Sequence, residues 1–178
     1  MFEKGDYIIY GSTGVRRVEA IGTPKGISSA DPRRQYYTLI PVYGAGTIYI
    51  PVDSSVSMRP ILSKEEAEEL VRRIPEIRED ACSNSDQRML ASQYQAFIRS
   101  HRCEDLIQLI KSVYCKSQTM QRTGKRTGLT DQQYMKKADD ILHGELSISL
   151  GIPIEEVPAY IAEQIGGKRG SRPAETGK

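Results

Sequence analysis

His101 and Cys103 stand one residue apart, the one place where this chain sets an imidazole beside a thiol. Two such ligands could begin a zinc site. Tetrahedral zinc wants four, however, and its cysteines usually come in closely spaced pairs, whereas Cys82, Cys103 and Cys115 are odd in number and far apart. All three are expected to be reduced packing residues, and no metal or other cofactor is expected. Neither His101 nor His143 is expected to be a general base, and His143 falls late in a predicted helix, where it is expected to cap or be solvated. Gly11-Ser12-Thr13-Gly14 has the glycines of a phosphate cradle but lacks the Gly-Lys-Ser/Thr ending, and it follows a strand without opening a helix. It is expected to be a hairpin turn. Glu65-Glu66-Ala67-Glu68-Glu69 gathers carboxylates, yet it falls at a helix start, where the dipole and solvent account for them. The chain is therefore expected to bind rather than catalyse, with no small-molecule substrate.

Charge gives the binding reading its direction. The net charge of +2 hides an uneven distribution: residues 81–127 hold eight basic and three acidic side chains, while 63–80 hold four and seven and 128–165 hold two and seven. A cationic stretch between two anionic ones favours one positive surface, suited to an anionic partner. Arg88, Arg99 and Arg102 fall on the side of one predicted helix opposite its apolar Leu90, Tyr94, Phe97 and Ile98. Lys111, Cys115, Gln118 and Arg122 share a polar face of the next, and Lys125 and Arg126 lie in the glycine-bounded connector that follows.

These side chains need elements to position them. Tyr7–Tyr10, Val15–Ile21, Gln35–Tyr43, Thr47–Val52 and Val56–Pro60 are expected to be strands, with Pro41 and Pro51 near an edge because proline cannot donate to a ladder. Together they predict a five-stranded SH3/Tudor-like barrel over residues 1–62. Six of the ten tyrosines lie in this part, more than a small barrel can hide, and an exposed tyrosine on an edge strand suits a protein interface.

From Ser63 the pattern becomes helical. Ser63 with Glu66 is a capping box for a helix that stops before Pro75; Asn84 or Ser85 can cap a second; a third spans about Glu104 to Arg122. Thr130 with Gln133 offers another capping box for a fourth helix ending by Gly151, and Pro153 opens a last one that runs to about Ile165. Residues 63–165 are thus expected to form a helical domain. From Gly166 to Lys178 the composition predicts a disordered tail. No apolar run approaches the roughly 20 residues of a membrane span, and the first residues lack the features of a secretory leader, so a cytoplasmic protein is expected.

The opening Phe2-Glu3-Lys4-Gly5-Asp6-Tyr7-Ile8-Ile9-Tyr10 through Gly14-Val15, the strand Thr47-Ile48-Tyr49-Ile50-Pro51, and Ala138-Asp139-Asp140-Ile141-Leu142-His143-Gly144-Glu145-Leu146 resemble the CarD family of bacterial transcription regulators over about residues 2–165. The resemblance implies a barrel that binds the β subunit of RNA polymerase and a helical domain that contacts promoter DNA at the upstream edge of the melted bubble. The implied polymerase contact is the barrel margin of Tyr37, Leu39, Tyr49 and Pro51, with Tyr49 where some relatives place an arginine. The implied DNA contacts are Arg88, Arg99, Arg102, Lys111 and Arg122, joined by Lys125 and Arg126. Relatives carry a tryptophan wedge at the start of the helical domain. This chain has no tryptophan, and the matching stretch is Asp86-Gln87-Arg88-Met89-Leu90. Gln87 or Met89 could form a weaker wedge, or phosphate contacts alone could hold the DNA. The alternative function is an RNA- or ribosome-associated barrel protein.

Overall fold

The structure, a computed structural model, describes residues 1–79 and 86–167. Five antiparallel strands come first: β1 (Tyr7–Tyr10), β2 (Val15–Gly22), β3 (Tyr36–Pro41), β4 (Ile48–Pro51) and β5 (Met58–Pro60), in the order β4-β3-β2-β1-β5. Alternation sets the inner face. Ile8, Val18, Tyr37, Leu39 and Ile50 point to one side and form the sheet's apolar cluster. Gly11 and Gly14, both at positive φ, make the β1–β2 turn that was expected there.

The sheet does not close into the expected barrel. β4 and β5 are the two margins, each is only three or four residues long, and each ends in a proline without an amide to donate. Pro51 sits on a margin as expected. Pro41 is in an interior strand, but at its last residue, beyond the point where the β3–β4 register ends at Leu39 opposite Ile48.

Five α-helices follow: α1 (Lys64–Arg73), α2 (Gln87–Arg99), α3 (Cys103–Arg122), α4 (Leu129–Leu150) and α5 (Val157–Gly167). The Ser63–Glu66 capping box forms with both reciprocal bonds, and α1 ends before Pro75. Asn84 and Ser85 lie outside the described residues, and the cap of α2 is Asp86, whose carboxylate accepts from the Arg88 amide. Thr130 and Gln133 do not make a capping box. Gly128 is the N-cap of α4, and Thr130 instead donates to the Gln87 side chain across the bundle. Pro153 does not open the last α-helix either; it precedes a short 3-10 turn, Ile154–Glu156, and α5 begins at Val157 and reaches Gly167. The tail beyond that residue lies outside the described residues. Leu90, Tyr94, Ile98, Leu106, Leu109, Val113, Leu142 and Leu146 anchor the helical core, separate from that of the sheet. Cys103 is buried as expected, but Cys115 is exposed on α3, and Cys82 is outside the described residues.

The sheet meets the helices at a polar node. Arg59 of β5 forms a two-pronged pair with Glu145 of α4, Nη1 to Oε1 at 2.6 Å and Nη2 to Oε2 at 2.8 Å. Glu145 is fully buried and also accepts from the Leu62 amide (3.0 Å) and the Cys103 thiol (3.2 Å). The remaining Arg59 donors reach the carbonyls of His101 and Pro60 and the Cys103 sulfur. Burial works against the Arg59 charge, but the hydrogen bonds and charge of Glu145 outweigh it, so its pKa moves up; burial and the same carboxylate push the Cys103 thiol well above its ordinary value. Cys103 is thus a neutral donor here, not a nucleophile. A second tie joins Tyr43, whose hydroxyl lies 2.7 Å from Ser147 Oγ.

Asp139 of α4 lines a small apolar cavity of about 240 Å³ with Ile107, Ile110, Leu142 and Ile161. Burial raises its pKa and Asp140 adds to this, against the lowering influence of His143 and Lys136. The folded state therefore holds this proton more tightly than the unfolded chain, so stability is lost as pH climbs from the ordinary carboxylate value through the raised one. Asp139→Asn is expected to raise Tm modestly near neutral pH, with the gain vanishing in acid below the ordinary carboxylate pKa; thermal melts across pH check this.

Candidate functional site

Two surfaces stand out, at different places on the molecule. The first is the β4 margin. Its inner side pairs with β3, Tyr49 opposite Thr38 and Pro51 opposite Tyr36, and its other side has no strand neighbour among the described residues. Alternation turns Ile50 into the core and Tyr49 outward, 41% exposed. The backbone can therefore accept another strand while Tyr49 offers an aromatic anchor with a polar tip.

Tyr37 and Leu39 are not part of this surface. They alternate inward on β3, at 2% and 0% exposure, and the Tyr37 hydroxyl accepts from the Phe2 amide. The period-two rule explains the correction: in the β3–β4 register the core residue Tyr37 faces the core residue Ile50, so the outward row is Thr38 with Tyr49. Of the four margin residues expected, Tyr49 and the half-buried Pro51 remain available.

The second surface is the end of the helical bundle where α2 and α4 begin and α3 finishes. A buried acid, Asp131 of α4, ties all three helices: it accepts from the Tyr94 hydroxyl of α2 at 2.6 Å and pairs with Lys116 of α3 at 2.9 Å. Around it Arg88, Arg122, Lys125 and Arg126 are exposed, and none enters an ion pair among the described residues. The connector is held rather than loose, because the Lys125 amide donates to Met120 and Gln132 donates to the Thr127 carbonyl. Met89 and Leu129 are 57% and 69% exposed at the same end.

The other three expected cations lie elsewhere. Arg99 follows Arg88 along the same stripe of α2 but about 16 Å away, at 1.5 Å per residue. Arg102 lies at the far end of α2, in a groove of about 630 Å³ lined by acids and bases together, among them Glu65, Glu66, Glu69, Glu104, Arg59 and Arg73. Lys111 is committed inside the fold. Its ammonium donates to the carbonyls of Ile74, which also accepts from the Ile77 amide, and of Ile77, where α1 gives way to its terminal turn. The polar face read along α3 thus contributes Arg122 alone to the cationic end.

The two buried carboxylates that organise these surfaces, Asp131 and Glu145, were missed by pattern reading. Their signal was nevertheless present: each lies seven residues from Ala138, on the apolar stripe that continues through Leu142 and Leu146. An acid in such a stripe is buried only with partners. Among the described residues, no three His, Cys, Asp or Glu side chains converge on a common metal position, and no helix is long and apolar enough to cross a membrane.

No match is found among curated proteins. Residues 2–62, which contain all five strands and the β4 margin, match the family model of the CarD-like/TRCF RID domain. Residues 2–62 are thus similar to the CarD-like/TRCF RID domain, and the match does not extend into the helices.

Proposed function

We propose that this chain is a non-enzymatic transcription regulator that grips the β subunit of RNA polymerase with the β4 margin and promoter DNA with the cationic end of the helical bundle, altering the stability of the open complex. The observation that carries this reading is the open β4 strand, with Tyr49 turned outward, inside a domain whose family is one of RNA polymerase interaction. Strand addition supplies backbone hydrogen bonds, and the Tyr49 ring supplies the desolvated anchor that usually dominates such contacts. The exposed guanidinium and ammonium groups of Arg88, Arg122, Lys125 and Arg126 suit phosphates, which position a protein on a duplex without reading its sequence. Met89 and Leu129 beside them suit an opened or widened groove, in place of the tryptophan this chain lacks.

Capture of purified polymerase by the immobilised full chain tests the first half. Tyr49→Asp, which sets a charge at the centre of the margin without touching the core, is expected to weaken capture about thirtyfold or more, the loss of a hot-spot contact of at least about 2 kcal/mol. Capture unchanged by Tyr49→Asp, or RNA retained in place of polymerase, would overturn the reading.

A further inference from the structure

We infer that α4 is a strut that fixes the distance and angle between the two surfaces, so that the chain presents them as one rigid body. The inference rests on the two-surface reading and adds the device that couples its halves. The strut has a buried acid near each end. Asp131 holds α2 and α3, and with them the cationic end; Glu145 holds the sheet through Arg59. Fourteen residues separate the two acids, roughly 21 Å of helix.

The sheet is pinned to this strut at two points, and two points remove the pivot that one would leave. Arg59 of β5 is the first pin. Its guanidinium is enclosed by groups from five places: Glu145, the Cys103 sulfur at the start of α3, the His101 carbonyl between α2 and α3, the Pro60 carbonyl, and, through Glu145, the Leu62 amide at the junction. His101 has φ +58°, the one positive φ of a non-glycine residue among the described residues. Such a backbone persists where its surroundings over-determine it, and here its carbonyl meets Arg59 Nε at 2.7 Å. Tyr43 is the second pin, reaching Ser147 one half-turn beyond Glu145. The Tyr43 ring also packs over Gly144, where a Cβ would meet it at an ordinary contact distance of 3.6 Å.

The test replaces both pins without leaving a charge stranded: Arg59→Met with Glu145→Met, combined with Tyr43→Phe, in the full chain. Apolar replacement of a whole buried pair preserves folding where single removal does not. Backbone ¹⁵N relaxation is expected to give one tumbling time for sheet and helices in the parent and two shorter ones in the variant. Polymerase capture and DNA binding, each measured alone, should stay within about twofold. The effect on open-complex lifetime should fall about tenfold or more, because simultaneous engagement depends on linkage geometry. A single tumbling time in the variant overturns the strut, as does an undiminished effect on open-complex lifetime once the tumbling times have split. If the parent chain itself captures no polymerase, the functional reading fails, while the relaxation measurement still decides whether α4 holds the two parts together.

Discussion

Glu145→Leu is expected to lower the stability of the chain by about 3–5 kcal/mol, the usual consequence of leaving one member of a buried ion pair without the other. Glu145 is fully buried and the Arg59 side chain 27% exposed, so solvent can relieve only part of the stranded charge. The Leu62 amide and the Cys103 thiol lose their acceptor in the same stroke. Against a typical stability of about 5–15 kcal/mol this is a large fraction. The informative contrast is the pair of substitutions Arg59→Met and Glu145→Met, which should return the chain to within about 2 kcal/mol of the parent, because most of the cost lies in the uncompensated charge and only the remainder in the Leu62 amide and Cys103 thiol left without their acceptor. Urea denaturation of parent, single and double variants measures both. Equal losses in the single and double variants would show that the node stabilises by its own attraction and that desolvation is a minor matter.

What could be read from residues alone follows from how local each cause is. The β1–β2 hairpin needed only Gly11, Gly14 and the alternation around them, and the start of α1 needed only Ser63 and Glu66, so both were legible. The starts of α4 and α5 were less so. Thr130 has the right neighbour for a cap, but Gln87 on another helix takes its hydroxyl, and a tertiary partner of that kind is invisible in a window of a few residues. The closure of the sheet failed as an expectation for a similar reason: strand number was evident, yet the shortness of β4 and β5 and their terminal prolines left no ladder between them. At the candidate surfaces, side-chain direction was legible only in part. Tyr37 and Tyr49 look alike in sequence, and only the register against each other's strand sends one inward and the other out. Lys111 looked like a surface cation because helical periodicity places it on the same face as Arg122; the carbonyls of Ile74 and Ile77 that claim it come from a segment more than thirty residues earlier.

That distinction between cations gives the second large effect. Replacing Arg88, Arg122 and Arg126 together by glutamine should weaken DNA binding by about a hundredfold at moderate salt and flatten the slope of log K against log salt by about 2.7, three phosphates at about 0.9 each. All three are exposed and outside any ion pair among the described residues, so folding stability should change little. Lys111→Met is the counterpart. Its ammonium serves two backbone carbonyls, so it should lower stability by about 1–3 kcal/mol and leave the salt slope where it was. The two variants therefore separate charge that faces solvent from charge spent inside the fold. Fluorescence anisotropy on a promoter duplex over a salt series, with thermal melts of the same samples, reads both quantities. A slope untouched by the triple variant, or lowered by Lys111→Met, would move the nucleic-acid surface away from the α2–α4 end, toward the remainder of the bundle where Arg99 lies.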